Sequence, residues 1–428
     1  MKRWVSRFGI LSGLALLCAV FLTPAQAWSA ADLKAGVAKA DITPPEGGMM
    51  YGYGARGSKV SEGVHDRLYA RALVLDDGST RLAIVSLDMG SFTRTSTENV
   101  KAMVQEETGI ENLLGVASHS HSTPAGSPKF PSKEAPWIRE AERTIAGAVA
   151  EAASALVPAR IGAGWGEVRE GHNRRIIGED GKAVMFWQNR DRVPTDPVDY
   201  RLGVIRVEDR AGATLATLVN FACHPVVLGP ENLQISADYP GVFARQVEAA
   251  LGGQCMFLQG ACGDINPFWD KTPPAEGGFA QAENMGKAIG DEVLRVSGLI
   301  DRFERAPTLS FHSEVIALAS RRDIERTERN LEAEVSTVLI GDKLALAAFP
   351  GEFFVEHGLS LKARSPVENT MFIGYCNDQM AYFPTIKACT EGGYGAATAT
   401  KVEVGAGERL VNRALVNLIQ QAGLVAKR

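Results

Sequence analysis

Short apolar runs of strand length alternate along this chain with longer segments in which apolar residues recur every three to four positions. Helical spacing predicts helices over 95–107, 137–156, 238–250, 279–296, 352–362 and 408–421. The short runs, mostly bounded by turn-forming residues, predict strands over 34–41, 64–75, 81–87, 113–117, 160–168, 201–208, 214–222, 255–259, 308–318 and 335–349, the last split at Gly341-Asp342. Strand–helix–strand alternation indicates α/β packing.

The first 27 residues have the composition of an export signal. Lys2 and Arg3 precede an apolar run over 8–22, and the small-residue pattern Ala25-Gln26-Ala27 follows it. These parts predict a secretory signal peptide cleaved near Ala27, so the mature protein is expected to be secreted or periplasmic. No later run is long and apolar enough to cross a bilayer. Because no repeat or low-complexity linker is evident, residues 28–428 are expected to form a single domain.

Composition narrows the classes of partner and of metal site. The formal net charge of −5 provides no electrostatic basis for nucleic-acid binding. Five cysteines follow the signal segment, an odd number that allows at most two disulfides. Cys376 and Cys389 are the first pair to test for a disulfide, on their proximity in the sequence alone. The absence of a CxxC motif argues against a zinc site built from thiolates.

Candidate chemistry gathers at the ends of two predicted strands. His119 and His121 follow the strand over 113–117, and His224 follows the strand over 214–222 directly before Pro225. Residues i and i+2 of an extended chain share a face, so His119 and His121 are expected to project side by side. A His-x-His pair is typical of a metal clamp, or of one ligand with a polarising neighbour. Two solvated histidines at a loop entrance are the alternative.

Two neutral imidazoles need a carboxylate to balance a divalent cation, and Glu352 follows a buried strand at the predicted start of a helix. A plain acidic residue favoured by the helix dipole is the alternative for Glu352. The glycine-rich segment 47–57 carries Tyr51 and Tyr53, and either lines a cleft or merely connects two elements.

Several motifs occur in one order from about Lys34 to Ala399: AGVAKADIT, ASHSHSTPAG, NFACHPVVL with ISADYPG, QGACGDINP, FPGEFFVEHG, and AYFPT with GGYGAAT. In this order they resemble the catalytic domain of neutral/alkaline non-lysosomal ceramidases. The resemblance implies an α/β domain of mixed β-sheets packed together and flanked by helices. It also implies a zinc-dependent amidohydrolase that cleaves linear amides, with Zn²⁺ as cofactor and a role in sphingolipid metabolism.

The resemblance carries roles onto matching positions of this chain. It implies His119, His224, Glu352 and Tyr382 as zinc ligands. It makes His121 the residue that hydrogen-bonds substrate or zinc-bound water. Arg174 matches the arginine of an Asn-Arg pair and is expected to contact the oxyanion or the substrate. Tyr394 lies twelve residues after Tyr382, as a second active-site tyrosine does in the family; the alternative is that both tyrosines simply pack.

The chain departs from the family pattern at two places. Asn266 stands where the family's Gly-Asp-x-Ser-Pro loop has serine, so a serine nucleophile at that point is not expected, although the Asn266 amide can donate a hydrogen bond. The family's C-terminal immunoglobulin-like domain is expected to be absent from this protein. Both departures bear on the substrate more than on the zinc hydrolase chemistry.

The predicted function is therefore an exported zinc hydrolase that cleaves the amide of an N-acyl compound, a ceramide-like lipid being one candidate. Transient contact with a membrane surface is compatible with such a substrate. A metal-dependent esterase, a hydrolase of sugar or peptidoglycan derivatives, and a non-catalytic binding protein are the alternatives.

Overall fold

The computed structural model describes Met1 and residues 32–124, 136–321 and 331–425. Apart from Met1, the predicted signal peptide lies outside the described residues. The helices are α1 (Arg94–Thr108), α2 (Pro136–Ser154), α3 (Asp238–Leu251), α4 (Gly278–Leu299), α5 (Val355–Arg364), α6 (Ile386–Glu391) and α7 (Ala406–Gln421). Among these described helices, none has the length and apolar character required to cross a bilayer.

The strands fall mainly into two sheets. They are β1 (Lys34–Asp41), β2 (Gly63–Val64), β3 (Tyr69–Asp76), β4 (Arg81–Leu87), β5 (Asn112–Ala117), β6 (Val157–Glu167), β7 (Gly171–Asn173), β8 (Arg175–Ile177), β9 (Ala183–Met185), β10 (Arg201–Asp209), β11 (Thr214–Phe221), β12 (Gln234–Ile235), β13 (Gln254–Gln259), β14 (Ile265–Pro267), β15 (Leu309–Leu318), β16 (Leu331–Ile340), β17 (Leu344–Ala348), β18 (Glu352–Phe353), β19 (Asn369–Ile373) and β20 (Tyr382–Phe383). Eight strands form the larger sheet in the order β13-β11-β10-β6-β1-β3-β4-β5, and four form the smaller one in the order β15-β16-β17-β19.

The larger sheet is antiparallel except at its two edges. There β5 runs parallel to β4 and β13 runs parallel to β11, because α1 and α3 supply the crossovers. Strand β6 pairs with β1 through only two residues and with β10 along most of its length. The Ser86 hydroxyl on β4 donates to the Phe257 carbonyl on β13 at 2.9 Å. Strands far apart in the sheet order therefore meet.

Helices flank the sheets. A core cluster shared by both sheets includes Leu114, Leu218, Leu346 and Met371. A second cluster joins α1 and α2 to β3 and β4, and a third joins α3 and α4 to β10, β11 and β13. The fourth packs α5 and α7 on the smaller sheet. The fold is thus α/β with mixed sheets and flanking helices, as predicted.

Most predicted elements are present within a few residues of their expected ends. One prediction was wrong at a functional position: Glu352 is not in the first turn of a helix. It lies in β18, which pairs in parallel with β20, and α5 begins only at Val355. The strand predicted over 64–75 begins at Tyr69 instead, because the chain turns after the short β2.

Cys376 and Cys389, the pair to test first for a disulfide, are not bonded to each other. All five cysteines of the described chain are free thiols. Cys376 packs in the core shared by the two sheets, whereas the Cys389 sulfur on α6 contacts the Arg321 guanidinium at 2.9 Å. Proximity in sequence did not bring the two sulfurs together, because burial of Cys376 directs its side chain into the core.

Candidate metal centre and cleft

His119 is held rigidly at the end of β5. The strand stops at Ala117, and His119 has a left-handed backbone (φ 69°), which is uncommon for a residue other than glycine. Its ring stacks on Tyr375 with centroids 4.1 Å apart. Its Nδ1 lies 2.8 Å from the Gly90 carbonyl. Because a carbonyl only accepts, Nδ1 carries the proton and Nε2 is left as a donor atom for a metal.

His224 lies close to His119, although the two residues come from opposite halves of the larger sheet. It follows β11, and its backbone N–H and its Nδ1 both lie 3.0 Å from the Ile265 carbonyl. The proton is therefore on Nδ1 here as well. The His224 Nε2 lies 3.3 Å from Glu352 Oε2, and His119 Nε2 lies 3.6 Å from the same oxygen.

His119, His224 and Glu352 form a group that fits a metal ion. All three are buried, and their donor atoms lie within 4.8 Å of one another. Burial lowers the pKa of His224 to about 4, so its ring is neutral at pH 7. Burial also works to raise the pKa of Glu352, but the neighbouring imidazoles outweigh it and hold that pKa well below its ordinary value. Neutral imidazoles beside a carboxylate are a donor set suited to a divalent cation.

His121 lies beside this group. Its Nε2 is 3.2 Å from His119 Nε2, so the two rings are neighbours as predicted. The strand ends before them, so the turn at His119, and not strand alternation, brings them together. Burial, followed by the nearby His119, lowers the pKa of His121 well below its ordinary value. The buried His121 Nδ1 has no hydrogen-bond partner among the described residues.

Tyr382 adjoins Glu352 because β18 and β20 pair these two residues directly. The Arg174 Nη2 donates to the Tyr382 hydroxyl at 3.1 Å and to the Gly263 carbonyl at 2.6 Å. Its Nη1 donates to the side-chain Oδ1 of Asn266 at 3.0 Å. The Tyr394 ring meets the Tyr382 ring edge-on at 5.4 Å, and Tyr394 is 41% exposed whereas Tyr382 is only 6% exposed. Tyr394 is therefore the outer of the two.

A cleft of about 410 Å³ opens onto these residues. Its wall includes Met49, Met50, Tyr51 and Tyr53. The glycine-rich segment 47–57 therefore lines a cleft and is not merely a connection between two elements. The volume is within the range of small-ligand sites. His119, His121, Glu352, Tyr382 and Tyr394 border the cleft, whereas His224, Arg174 and Asn266 lie behind its wall.

Comparisons with known proteins place the chain in a family. Residues 33–287, more than half of the chain, match the family model described as neutral/alkaline non-lysosomal ceramidase, N-terminal. The chain belongs to this family. The neutral ceramidase of Pseudomonas aeruginosa is 27% identical over 308 residues, which are 66% of this chain and 45% of the relative. Neutral ceramidase A of Dictyostelium discoideum is 28% identical over 260 residues, 53% of this chain and 35% of the relative.

Solved structures of the family show the same fold. The crystal structure of neutral ceramidase from Pseudomonas aeruginosa superposes with a TM-score of 0.76 at 18% identity, covering 94% of this chain and 76% of that one. A ceramidase complexed with C2 gives a TM-score of 0.77 at 18% identity, with 93% and 76% covered. The sequence matches span less than half the length of the two curated relatives described above.

Three residues that contact the candidate metal centre or the cleft wall were not found by sequence reasoning. Gln379 contacts Glu352, Tyr375 stacks on His119, and Arg56 donates from Nη1 to the carbonyls of Tyr51 and His121 at 2.7 and 2.8 Å. Arg56 thereby ties the glycine-rich segment to the His-x-His turn. Nothing local distinguishes these side chains from ordinary polar or aromatic residues, because their partners lie far away in sequence.

Gly52 gives a prediction about the cleft wall. A Cβ at Gly52 would lie 2.3 Å from the His121 ring, and the backbone has φ +97°. We expect Gly52→Ala to displace His121 and to lower kcat/KM by roughly 10²-fold, the cost of about 1 Å of misplacement. Steady-state kinetics of Gly52→Ala and of Gly48→Ala, whose Cβ would meet nothing within 4 Å, provide the check. Equal activity of the two variants would show that His121 needs no such space.

Proposed function

We propose that this protein is an exported, zinc-dependent hydrolase that cleaves the amide bond of an N-acyl compound. The observation that carries the proposal is the buried group His119, His224 and Glu352, whose donor atoms converge beside a cleft. Backbone carbonyls fix both imidazoles so that each Nε2 is free to bind a cation. Export is inferred from the predicted signal peptide alone.

The cation would be held by His119, His224, Glu352 and the Tyr382 hydroxyl, which adjoins Glu352. Zinc is the metal we propose, because imidazole nitrogens with one carboxylate are its usual donors in hydrolases. When bound, zinc would act as a Lewis acid on the scissile carbonyl and on a water molecule.

His121 is the residue best placed to handle a proton. It borders the cleft, its ring is neutral, and its Nε2 lies beside the metal-facing nitrogen of His119. In the proposed reaction His121 Nε2 holds the attacking water by a hydrogen bond, takes its proton and passes it to the leaving amine nitrogen. A neutral imidazole is the form required at the start of that sequence.

Arg174 acts, in this proposal, through Tyr382. The guanidinium is anchored by Gly263 and Asn266 and reaches the Tyr382 hydroxyl from behind the cleft wall, so it orients that hydroxyl and adds positive charge near it. Tyr394, half-exposed at the cleft mouth, is placed to donate a hydrogen bond to the substrate oxygen as negative charge develops there. Arg174 and Asn266 are therefore positioning residues.

The substrate class rests on family membership and on the cleft. Relatives named neutral ceramidase suggest a ceramide-like N-acyl lipid, and Met49 with Met50 gives the cleft wall an apolar part. A substrate of this kind would be taken up from a membrane surface by transient contact. The amide, and not the identity of the acyl chain, is the feature on which the proposed chemistry acts.

A paired assay tests the proposal. Purified protein should contain one zinc ion per chain by elemental analysis, and it should release a carboxylic acid and an amine from N-acyl amides, including a short-chain ceramide. Esters with matched acyl chains and N-acetylated sugars complete the panel. Faster cleavage of the esters would replace the amidase proposal by the esterase. Faster cleavage of the N-acetylated sugars would replace the lipid substrate by a sugar derivative. Tight substrate binding without turnover in the zinc-loaded protein would indicate a binding protein.

Asn266 gives a second prediction. Its side-chain Oδ1 accepts from Arg174, and its Nδ2 donates to Asp270 at 2.8 Å, all within a buried site. Asn266→Ala should loosen Arg174 and reduce kcat by about 10- to 1000-fold without abolishing it, while zinc content stays at one per chain. Kinetics with metal analysis check both parts. Trapping an acyl group on any side chain of the active protein would contradict a mechanism without a covalent intermediate.

A further inference from the structure

The two oxygens of Glu352 have different neighbours, and Gln379 contacts one of them. Its Nε2 donates to Glu352 Oε1 at 3.1 Å and to the Tyr51 hydroxyl at 2.8 Å. The other oxygen, Oε2, is the one that faces His224 and His119. Since a carboxylate only accepts hydrogen bonds, the contact requires the NH₂ side of the amide to point at Glu352. The orientation of Gln379 is thereby determined.

The oxygen end of the Gln379 amide indicates that this side chain has a specific role. Gln379 Oε1 is buried and has no hydrogen-bond partner among the described residues. An unpaired buried carbonyl destabilises the fold, whereas a methionine or leucine of similar size would not carry that cost. The amide is therefore poorly explained by packing and is well explained by its donor end.

The segment that carries Gln379 is anchored so that the donor cannot drift. The Asn377 side chain donates to the Leu113 carbonyl at 3.0 Å and accepts from the Gly115 N–H at 2.8 Å, both on β5, the strand that leads to His119. The Glu352 N–H donates to the Ala381 carbonyl at 2.9 Å. Gln379 thus sits between two elements of the candidate metal centre.

We propose that Gln379 is a positioning residue that occupies one oxygen of Glu352, so that Glu352 offers a cation a single oxygen. This inference rests on the proposed zinc centre. A one-oxygen carboxylate leaves room in the coordination sphere for substrate, whereas release of Oε1 would let the carboxylate rotate and bind through both oxygens. Partners of this kind orient ligands and adjust metal affinity.

The test compares Gln379→Met with Gln105→Met, a matched change at an exposed glutamine on α1. Zinc affinity is measured by competition with a chromophoric chelator, and the melting temperature is measured on the metal-free proteins. We expect Gln379→Met to weaken zinc binding about 10- to 100-fold without lowering the metal-free melting temperature, and Gln105→Met to leave zinc binding unchanged. The cobalt-substituted Gln379→Met protein should show an altered visible spectrum.

The possible outcomes separate this inference from the proposed function. Unchanged zinc affinity with a lower melting temperature would make Gln379 a packing residue and overturn the inference. Tyr51→Phe removes the second acceptor but keeps the bond to Glu352, so its zinc affinity should stay near that of the parent protein; a loss as large as that of Gln379→Met would also overturn it. If the parent protein itself bound no zinc, the proposed metal centre would fail instead.

Discussion

Replacing His224 by alanine is expected to abolish stoichiometric zinc binding and to reduce amide hydrolysis by more than about 10³-fold. The ring is buried, and its Nε2 lies 3.3 Å from Glu352 Oε2. The variant removes one of the converging donors and leaves the negative charge of Glu352 with a weaker partner. Loss of a single stabilising contact already costs about 10²–10³-fold in many hydrolases, and loss of the metal removes more.

His119→Ala should behave in the same way, because its Nε2 faces the same carboxylate oxygen. The matched control is His312→Ala, which removes a histidine with a 48% exposed side chain on β15, outside the cleft. The control should keep one zinc per chain and full activity. Elemental analysis after gel filtration gives the metal content directly. Stoichiometric zinc in both His119→Ala and His224→Ala would refute the assigned ligands.

The two tyrosines should respond differently to loss of the hydroxyl. Burial, and then the negative charge of Glu352, raise the pKa of Tyr382 well above its ordinary value, so without a cation this phenol is neutral. A bound cation would reverse that shift and make the oxygen a ligand. Tyr382→Phe should therefore weaken zinc binding by more than about 100-fold, exceeding the effect typical of residues that only orient ligands.

Tyr394→Phe should keep the zinc and lower kcat by about 10²-fold, because its hydrogen bond matters chiefly in the transition state. Zinc titration and steady-state kinetics on both variants distinguish the roles. If Tyr394→Phe lost the metal and Tyr382→Phe retained it, the roles would be exchanged. If neither variant changed metal content or rate, both tyrosines would be packing residues only.

Much of the secondary structure followed from local patterns. The strand before His119, the strand before His224 and the long helices appear close to their predicted bounds, because burial of one face imposes a period on the sequence that survives folding. At Glu352 the local pattern predicted a helix where the structure has a strand. Pro350-Gly351 resembles a helix start, but pairing with Tyr382, thirty residues later in the chain, places Glu352 in a strand.

The sequence by itself determined the α/β class, the family and the residue types available to a metal site, since these depend on composition, periodicity and motifs. Tertiary structure decided which side chains meet. Strand β13 contacts β4 although the two are far apart in the sheet order, and the ends of β5 and β11 place the His119 and His224 ring centroids 5.1 Å apart. Tertiary structure also decided the contact of Gln379 with Glu352. Such contacts join segments far apart in the chain, and local periodicity carries information only about the face that each segment buries.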